Sequence, residues 1–179
     1  MRVIGGEWRG RRINIPSKSW PVRPTTDFAR EALFNILDNR LNYENASALD
    51  LFGGTGIHCI ELASRGCTDI TYVDRYRESA QFMRSFAKEW EISMEVVQSD
   101  VRKFVSGAVR KWDYIFADPP YDMKDIDSFP EFLLEADILL PEGFFVLEHT
   151  SKKVFDKVPG FREARHYGQS VFSFFGSGS

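Results

Sequence analysis

The chain has 179 residues, 43% of them hydrophobic and 27% charged, with a net charge of −3. These values describe one folded domain with a real core and exclude long disorder. No apolar run reaches the roughly 18 residues that a bilayer span needs, and the opening Met1-Arg2-Val3-Ile4-Gly5-Gly6 lacks the apolar stretch of a signal peptide, so a cytoplasmic protein is expected.

Residues 1–24 read as a basic arm. Arg2, Arg9, Arg11, Arg12, Lys18 and Arg23 stand against one acid, Glu7, which gives the arm +5 and leaves −8 on the remainder. A basic arm on an acidic body suits a polyanionic partner. Val3-Ile4 and Arg12-Ile13-Asn14-Ile15 can pair as a short hairpin with Trp8 at its turn. Two roles are open for Trp8: stacking on a base, or packing the arm onto the body. Pro24-Thr25-Thr26-Asp27 then opens a helix, with Thr26 or Asp27 as N-cap. Phe28, Ala32, Leu33, Ile36 and Leu37 form its apolar stripe, and it should end near Asn39.

From residue 46 strands and helices alternate. Strands are expected at 46–52, 70–73, 94–97, 114–117 and 144–147, and helices at 57–65, 77–90, 101–109 and 129–140. This order predicts an α/β fold, a mostly parallel sheet with helices on both faces. Strands at 161–166 and 171–175 are joined by Tyr167-Gly168-Gln169-Ser170, too short for a helical crossover, so they should form an antiparallel hairpin at the sheet edge. A single domain over residues 25–176 behind the arm is expected, with a flexible end from Gly176 to Ser179. Cys59 and Cys67, with His58, His149 and His166, make no metal-ligand spacing. No metal is expected, and the cysteines read as small buried residues.

Three signals carry chemistry. The first is Leu49-Asp50-Leu51-Phe52-Gly53-Gly54-Thr55-Gly56 at a strand-to-helix turn. Its glycines admit a ligand close to the backbone, and such turns lie at the carboxyl ends of strands, where open α/β sheets bind ligands. It is neither a dinucleotide fingerprint nor a P-loop, and Asp50 suits a cationic ligand better than a phosphate. The second is a pair of acids, Asp74 and Asp100, that close the next two strands and are placed to accept hydrogen bonds from ribose hydroxyls. Asp100 would equally cap the helix that follows. The third is Asp118-Pro119-Pro120-Tyr121, directly after the fourth strand. An exocyclic amine on a base is a poor nucleophile because its lone pair is delocalised into the ring. Asp118 and the Pro119 carbonyl can accept its hydrogens and aim that lone pair, and the prolines hold the acceptors ready. Tyr121 offers a stacking face, and the base must be flipped or single-stranded.

Asp118-Pro119-Pro120-Tyr121 resembles the (Asp/Asn)-Pro-Pro-(Tyr/Phe) motif of methyltransferases acting on amino groups of bases. With the two cofactor signals, it makes residues 46–176 resemble the class I S-adenosylmethionine-dependent methyltransferases, whose Rossmann-like fold has seven strands and one antiparallel strand in the last hairpin. The resemblance implies cofactor contacts from Asp50, Gly54, Gly56, Asp74 and Asp100, with Phe52, Thr55, Arg75 and Val101 beside them, and a catalytic group of Asp118, Pro119, Pro120 and Tyr121.

A narrower match spans nearly the whole chain. Met1-Arg2-Val3-Ile4-x-Gly6-x-x-Arg9-Gly10-Arg11, Arg23-Pro24-Thr25-Thr26-Asp27-x-x-Arg30-Glu31-Ala32-Leu33-Phe34-Asn35-Ile36-Leu37, Glu148-His149 and Arg165-His166-Tyr167-Gly168 are similar to the RsmD family. That family methylates guanine N2 in bacterial 16S ribosomal RNA, acting on small subunits or their assembly intermediates. Gly53-Gly54-Thr55-Gly56 stands where many members have Ala-Gly-Ser-Gly, a conservative departure. The resemblance implies RNA contacts from Arg2, Trp8, Arg9, Arg11, Arg12, Arg23, Thr25 and Arg30. For Arg23, Thr25, Thr26 and Arg30 the competing roles are helix capping and surface charge. For Glu148 and His149 the competing role is a satisfied polar pair at a strand end. A monomer is expected. Two other functions stay open: a DNA amino-methyltransferase acting on adenine N6, and a non-catalytic RNA-binding assembly factor.

Overall fold

The computed structural model describes residues 1–16 and 25–176; Arg23 and Pro24 lie outside the described residues, as does the end beyond Gly176. One sheet holds β1 (Ser47–Leu51), β2 (Asp69–Asp74), β3 (Met94–Gln98), β4 (Trp112–Ala117), β5 (Leu139–Thr150), β6 (Phe161–Tyr167) and β7 (Ser170–Gly176), in the order β3-β2-β1-β4-β5-β7-β6. The first five strands pair in parallel, and β7 runs antiparallel to both neighbours. This is the Rossmann-like architecture expected from the sequence, with the late hairpin at one edge.

Among the described residues five α-helices cover the sheet: α1 (Asp27–Leu37), α2 (Ile57–Ser64), α3 (Arg77–Glu89), α4 (Val101–Gly107) and α5 (Phe129–Glu135). The pleat sends alternate side chains to opposite faces. Ala48, Tyr114 and Phe116 join Leu33 and Phe34 of α1, Ile60 of α2 and Met83 of α3 in one core. Leu49, Leu51 and Ile115 join Val105 of α4 and Phe129 and Leu133 of α5 in the other. Each of these large side chains contributes about 1.5–3 kcal/mol by leaving water.

Three elements depart from expectation. The buried face of α1 is Ala29, Arg30, Leu33, Phe34 and Leu37, so Phe28 is left 64% exposed. The face is rotated because Arg30 turns inward to an acid on α2. Helix α5 stops at Glu135 rather than near residue 140: Asp137 takes a left-handed φ of 55°, and the Ile138 carbonyl accepts from Trp112 N at 2.8 Å, which draws the chain into the sheet. Strand β5 consequently starts at Leu139, five residues before the expected 144.

Residues 1–16 dock on the body. Their hairpin is short, with one antiparallel bridge between Arg2 and Arg12. Val3 and Ile13 are buried in the α1–α2–α3 core. Glu61 of α2, fully buried, accepts from Ile4 N at 2.7 Å and Gly5 N at 3.4 Å, and pairs with Arg65 and with Arg30 Nε at 3.3 Å. Ser64 accepts from Trp8 N at its Oγ and from Glu7 N at its carbonyl. A buried carboxylate is tolerable only when its lone pairs are met in this way.

Candidate active site

The carboxyl ends of β1 to β4 open into a cleft of about 790 Å³. Its floor is made by the turn after β1. Phe52 and Gly54 take left-handed φ values of 58° and 55°, and Gly53 N bonds to Val73 O at 3.0 Å, tying the turn to β2. No side chain larger than hydrogen fits at two positions. A Cβ on Gly53 would sit 2.2 Å from the Tyr72 ring, and one on Gly56 (φ 79°) 2.0 Å from Met83 Sδ. From below, the Tyr72 hydroxyl donates to Gly54 O at 2.6 Å. The turn is thus propped by side chains while its backbone faces the cleft.

The three acids stand at successive strand ends, each in a different electrostatic setting. Asp74 accepts from Gly54 N and Tyr76 N, both at 2.8 Å, one on each oxygen. Its orientation is therefore fixed, and each oxygen keeps acceptor capacity for a ribose hydroxyl. Asp100 caps α4 by accepting from Lys103 N at 3.0 Å through Oδ1. The capping role and the site role coincide on one residue. Asp50 is 1% exposed, and burial pushes its carboxyl up to about 7. The Cys59 thiol, donating to Oδ2 at 3.1 Å, offsets part of this rise, and the nearby charge of Asp74 adds to it. A buried acid so raised favours a cationic neighbour.

The opposite wall begins where β4 ends. Asp118 N donates to Leu51 O at 3.4 Å, and Asp118, Pro119 and Pro120 line the cleft. Beside Asp118 is Thr25, just ahead of α1, whose hydroxyl donates to Glu148 Oε1 at 2.7 Å and lies 3.5 Å from Asp118 Oδ2. Glu148, at 0% exposure on β5, is held on its other oxygen by Ser170 Oγ at 3.3 Å. Two histidines near the site are structural. His58 is stacked on Phe116 at 3.9 Å with Nε2 3.0 Å from the Tyr114 hydroxyl; burial, then the charges of Arg65 and Arg30, hold its pKa well below the usual range. His149 bonds to Thr150 O through Nδ1 and to Ser173 Oγ through Nε2. A carbonyl only accepts, so the ring proton is on Nδ1; burial lowers its pKa.

The structure brings Asp50, Phe52, Gly54, Thr55, Asp74, Arg75, Asp100, Val101, Asp118, Pro119, Pro120 and Thr25 onto one cleft. Gly56, also expected there, is not part of the cleft lining. Tyr121 is 49% exposed and is not part of the cleft lining. Arg2, Arg9, Arg11 and Arg12 are exposed on the docked arm. Trp8 is half-buried, its ring edge-on to Trp90 at 5.1 Å, a geometry that fastens the arm. Arg30 is a correction: at 2% exposure it does not reach an RNA surface. Its guanidinium serves Glu61, Asp27 and the carbonyl of Arg2. Glu148 and His149 do not bond to each other; they have separate partners. Sequence reasoning missed Tyr72 and Glu61. Only Glu61 had left a signal, as the single charge in the apolar run Ile57–Ser64.

The cleft fits a nucleoside carrying a cationic centre: an open backbone turn, acids at successive strand ends and a buried Asp50. Among the described residues no group of His, Cys, Asp or Glu is arranged to hold a metal ion. The family model described as "Conserved hypothetical protein 95" matches residues 1–176. A relative from Escherichia coli (strain K12), "Ribosomal RNA small subunit methyltransferase D", is 31% identical over 160 residues, covering 89% of this chain and 79% of its own. YlbH of Bacillus subtilis (strain 168) is 32% identical over 154 residues, covering 83% and 82%. Among solved structures, yhhF from Escherichia coli superposes with a TM-score of 0.83 at 26% identity, covering 99% and 97%. The Thermus thermophilus 16S rRNA N2 G1207 methyltransferase, in complex with AdoMet and guanosine, shares the fold, with a TM-score of 0.72 at 18% identity over 99% of this chain and 49% of its own. With the fold, the cleft and the family model in agreement along the chain, the protein belongs to the RsmD family of methyltransferases.

Proposed function

We propose that this protein transfers a methyl group from S-adenosylmethionine to the exocyclic N2 of a guanine in 16S ribosomal RNA, within the small subunit or its assembly intermediate. The observation that carries the reading is the position of Asp118-Pro119-Pro120 in the same cleft as the turn after β1 and the acids of β2 and β3. The bound cofactor supplies an electrophilic methyl group on a sulfonium. Asp74 and Asp100 would hold its nucleoside, and Asp50 would face its positive charge. Asp118 and the Pro119 carbonyl accept the hydrogens of the guanine N2, which localises its lone pair. As the new N–C bond forms, the methyl–sulfur bond breaks and its electron pair stays on the sulfur, which leaves as the neutral thioether; the methylated nitrogen becomes a strong acid, and Asp118 accepts the proton it sheds. Positioning and preorganised acceptors supply the rate, without a strong base.

The exposed arginines of the arm meet the phosphate backbone, and neighbouring ribosomal surfaces share that contact. No helix among the described residues is long and apolar enough to cross a membrane. The protein acts in the cytoplasm as a monomer in this reading.

The test uses labelled S-adenosylmethionine with small subunits from a strain lacking the activity, followed by digestion and chromatography. A single labelled N2-methylguanosine is expected. Label on adenine, or on duplex DNA in place of subunits, would replace this reading with an adenine amino-methyltransferase. Tight RNA binding without transfer would replace it with an assembly factor.

A further inference from the structure

The acceptor wall of the cleft contains a feature that methyl transfer alone does not need. A hydroxyl has one proton, and Thr25 Oγ1 has two carboxylate oxygens within reach: Glu148 Oε1 at 2.7 Å and Asp118 Oδ2 at 3.5 Å. The shorter contact takes the proton, because hydroxyl hydrogen bonds cluster near about 2.7–2.8 Å and weaken steeply with length. Glu148 does not swing away, since it is fully buried and Ser170 of β7 engages its far oxygen. The Thr25 oxygen is therefore left with lone pairs beside Asp118, and Thr25 lines the cleft.

From this arrangement we infer that Thr25, its proton held by Glu148, selects guanine by accepting the ring N1–H while Asp118 accepts the adjacent N2–H. The inference rests on guanine N2 being the methyl acceptor. Guanine presents two neighbouring donors on this edge, N1–H and the amine. Adenine and cytosine present the same kind of amine next to a bare ring nitrogen, which is an acceptor. Two acceptors side by side match guanine alone; with the others, the Thr25 lone pair faces the lone pair of the ring nitrogen. Sites built on hydrogen bonds discriminate strongly because a mismatched base leaves buried polar groups unmet. The flipped base is read on this same edge.

2-Aminopurine probes the contact: it keeps the 2-amino group but has a bare N1 and no 6-oxo oxygen, and the Thr25 variants assign to N1 its share of the preference. Small subunits are reconstituted with either guanine or 2-aminopurine at the position the wild-type protein methylates, and kcat/KM is measured for each. The wild type should favour guanine by at least about 100-fold. Thr25→Val, similar in shape but without the lone pairs, should narrow that preference by about tenfold or more. Thr25→Ser should restore it, and Thr25→Ala carries the comparison if the valine variant does not fold. A structural role for Thr25 would lower both rates together. An unchanged guanine-to-2-aminopurine ratio in a variant that still methylates overturns the inference and leaves the proposed function standing. Absence of guanine N2 transfer by the wild type overturns both.

Discussion

The two walls of the cleft are built on different principles. The cofactor wall is backbone propped from beneath. Gly53 and Gly56 admit no Cβ, Tyr72 and Met83 fill the space under them, and Asp74 is held by two main-chain N–H groups. The acceptor wall is a side-chain relay in which Asp118, Thr25, Glu148 and Ser170 come from four separate segments. The first wall fails by collision, and the second fails by losing a proton acceptor. Substitutions should therefore separate binding from turnover.

The sharpest way to break that contrast is Asp118→Ala. Methyl transfer should fall by about 10³-fold or more, while calorimetric titration with S-adenosylmethionine stays within a few fold of wild type. A collapse of cofactor affinity would show that the walls are one unit. On the cofactor side, Gly56→Ala meets Met83 Sδ and a left-handed φ together, and should lower stability by about 3 kcal/mol in urea unfolding. Cofactor affinity should fall in parallel. If the variant folds normally, the turn is not propped as described.

Arg30→Met should cost about 3 kcal/mol, since Glu61 keeps its burial but loses one of its two cations. Its RNA affinity per folded molecule should be unchanged; a selective loss of RNA binding would return Arg30 to the substrate surface.

The pH response is smaller. In the unfolded chain an Asp titrates near 4, whereas Asp50 in the fold is raised to about 7. Between those values the folded protein keeps a proton that the unfolded chain has lost, so Asp50 makes stability fall as pH rises from about 4 to about 7. A cationic ligand favours ionised Asp50. S-adenosylmethionine should bind more tightly as pH rises toward 7, by at most about tenfold per pH unit, and Asp50→Asn should flatten that slope. A wild-type slope of zero would place the positive charge elsewhere. Smallest of all, Arg9→Ala should weaken RNA binding a few fold and lower the salt slope by about 1. An unaltered slope would remove Arg9 from the RNA surface.

The same contrast explains what could be read from the chain. Asp50 to Gly56, Asp74 and Asp100 each close a strand, and a parallel sheet brings strand ends together whatever the details of packing. That wall was legible, as was the Asp118-Pro119-Pro120 turn. The relay was not. Thr25 and Glu148 are 123 residues apart, and no local pattern announces that a threonine before α1 meets a buried acid on β5. Arg30 misled for a related reason. At its position in an amphipathic helix an arginine ordinarily faces solvent, and only the buried Glu61 across the α1–α2 contact turns it inward. The early end of α5 depends on the φ of Asp137, a single residue in a run that otherwise reads as helix.

Glu61 also orders events in time. Ile4, whose N–H it accepts, precedes it by 57 residues. At about 5–20 residues per second of synthesis, Glu61 is added roughly 3–11 s after Ile4. Val3 and Ile13, buried in the finished fold, spend that interval without their core. The arm, made before α2, therefore waits for it, and its docking reports that α1 and α2 are already in place.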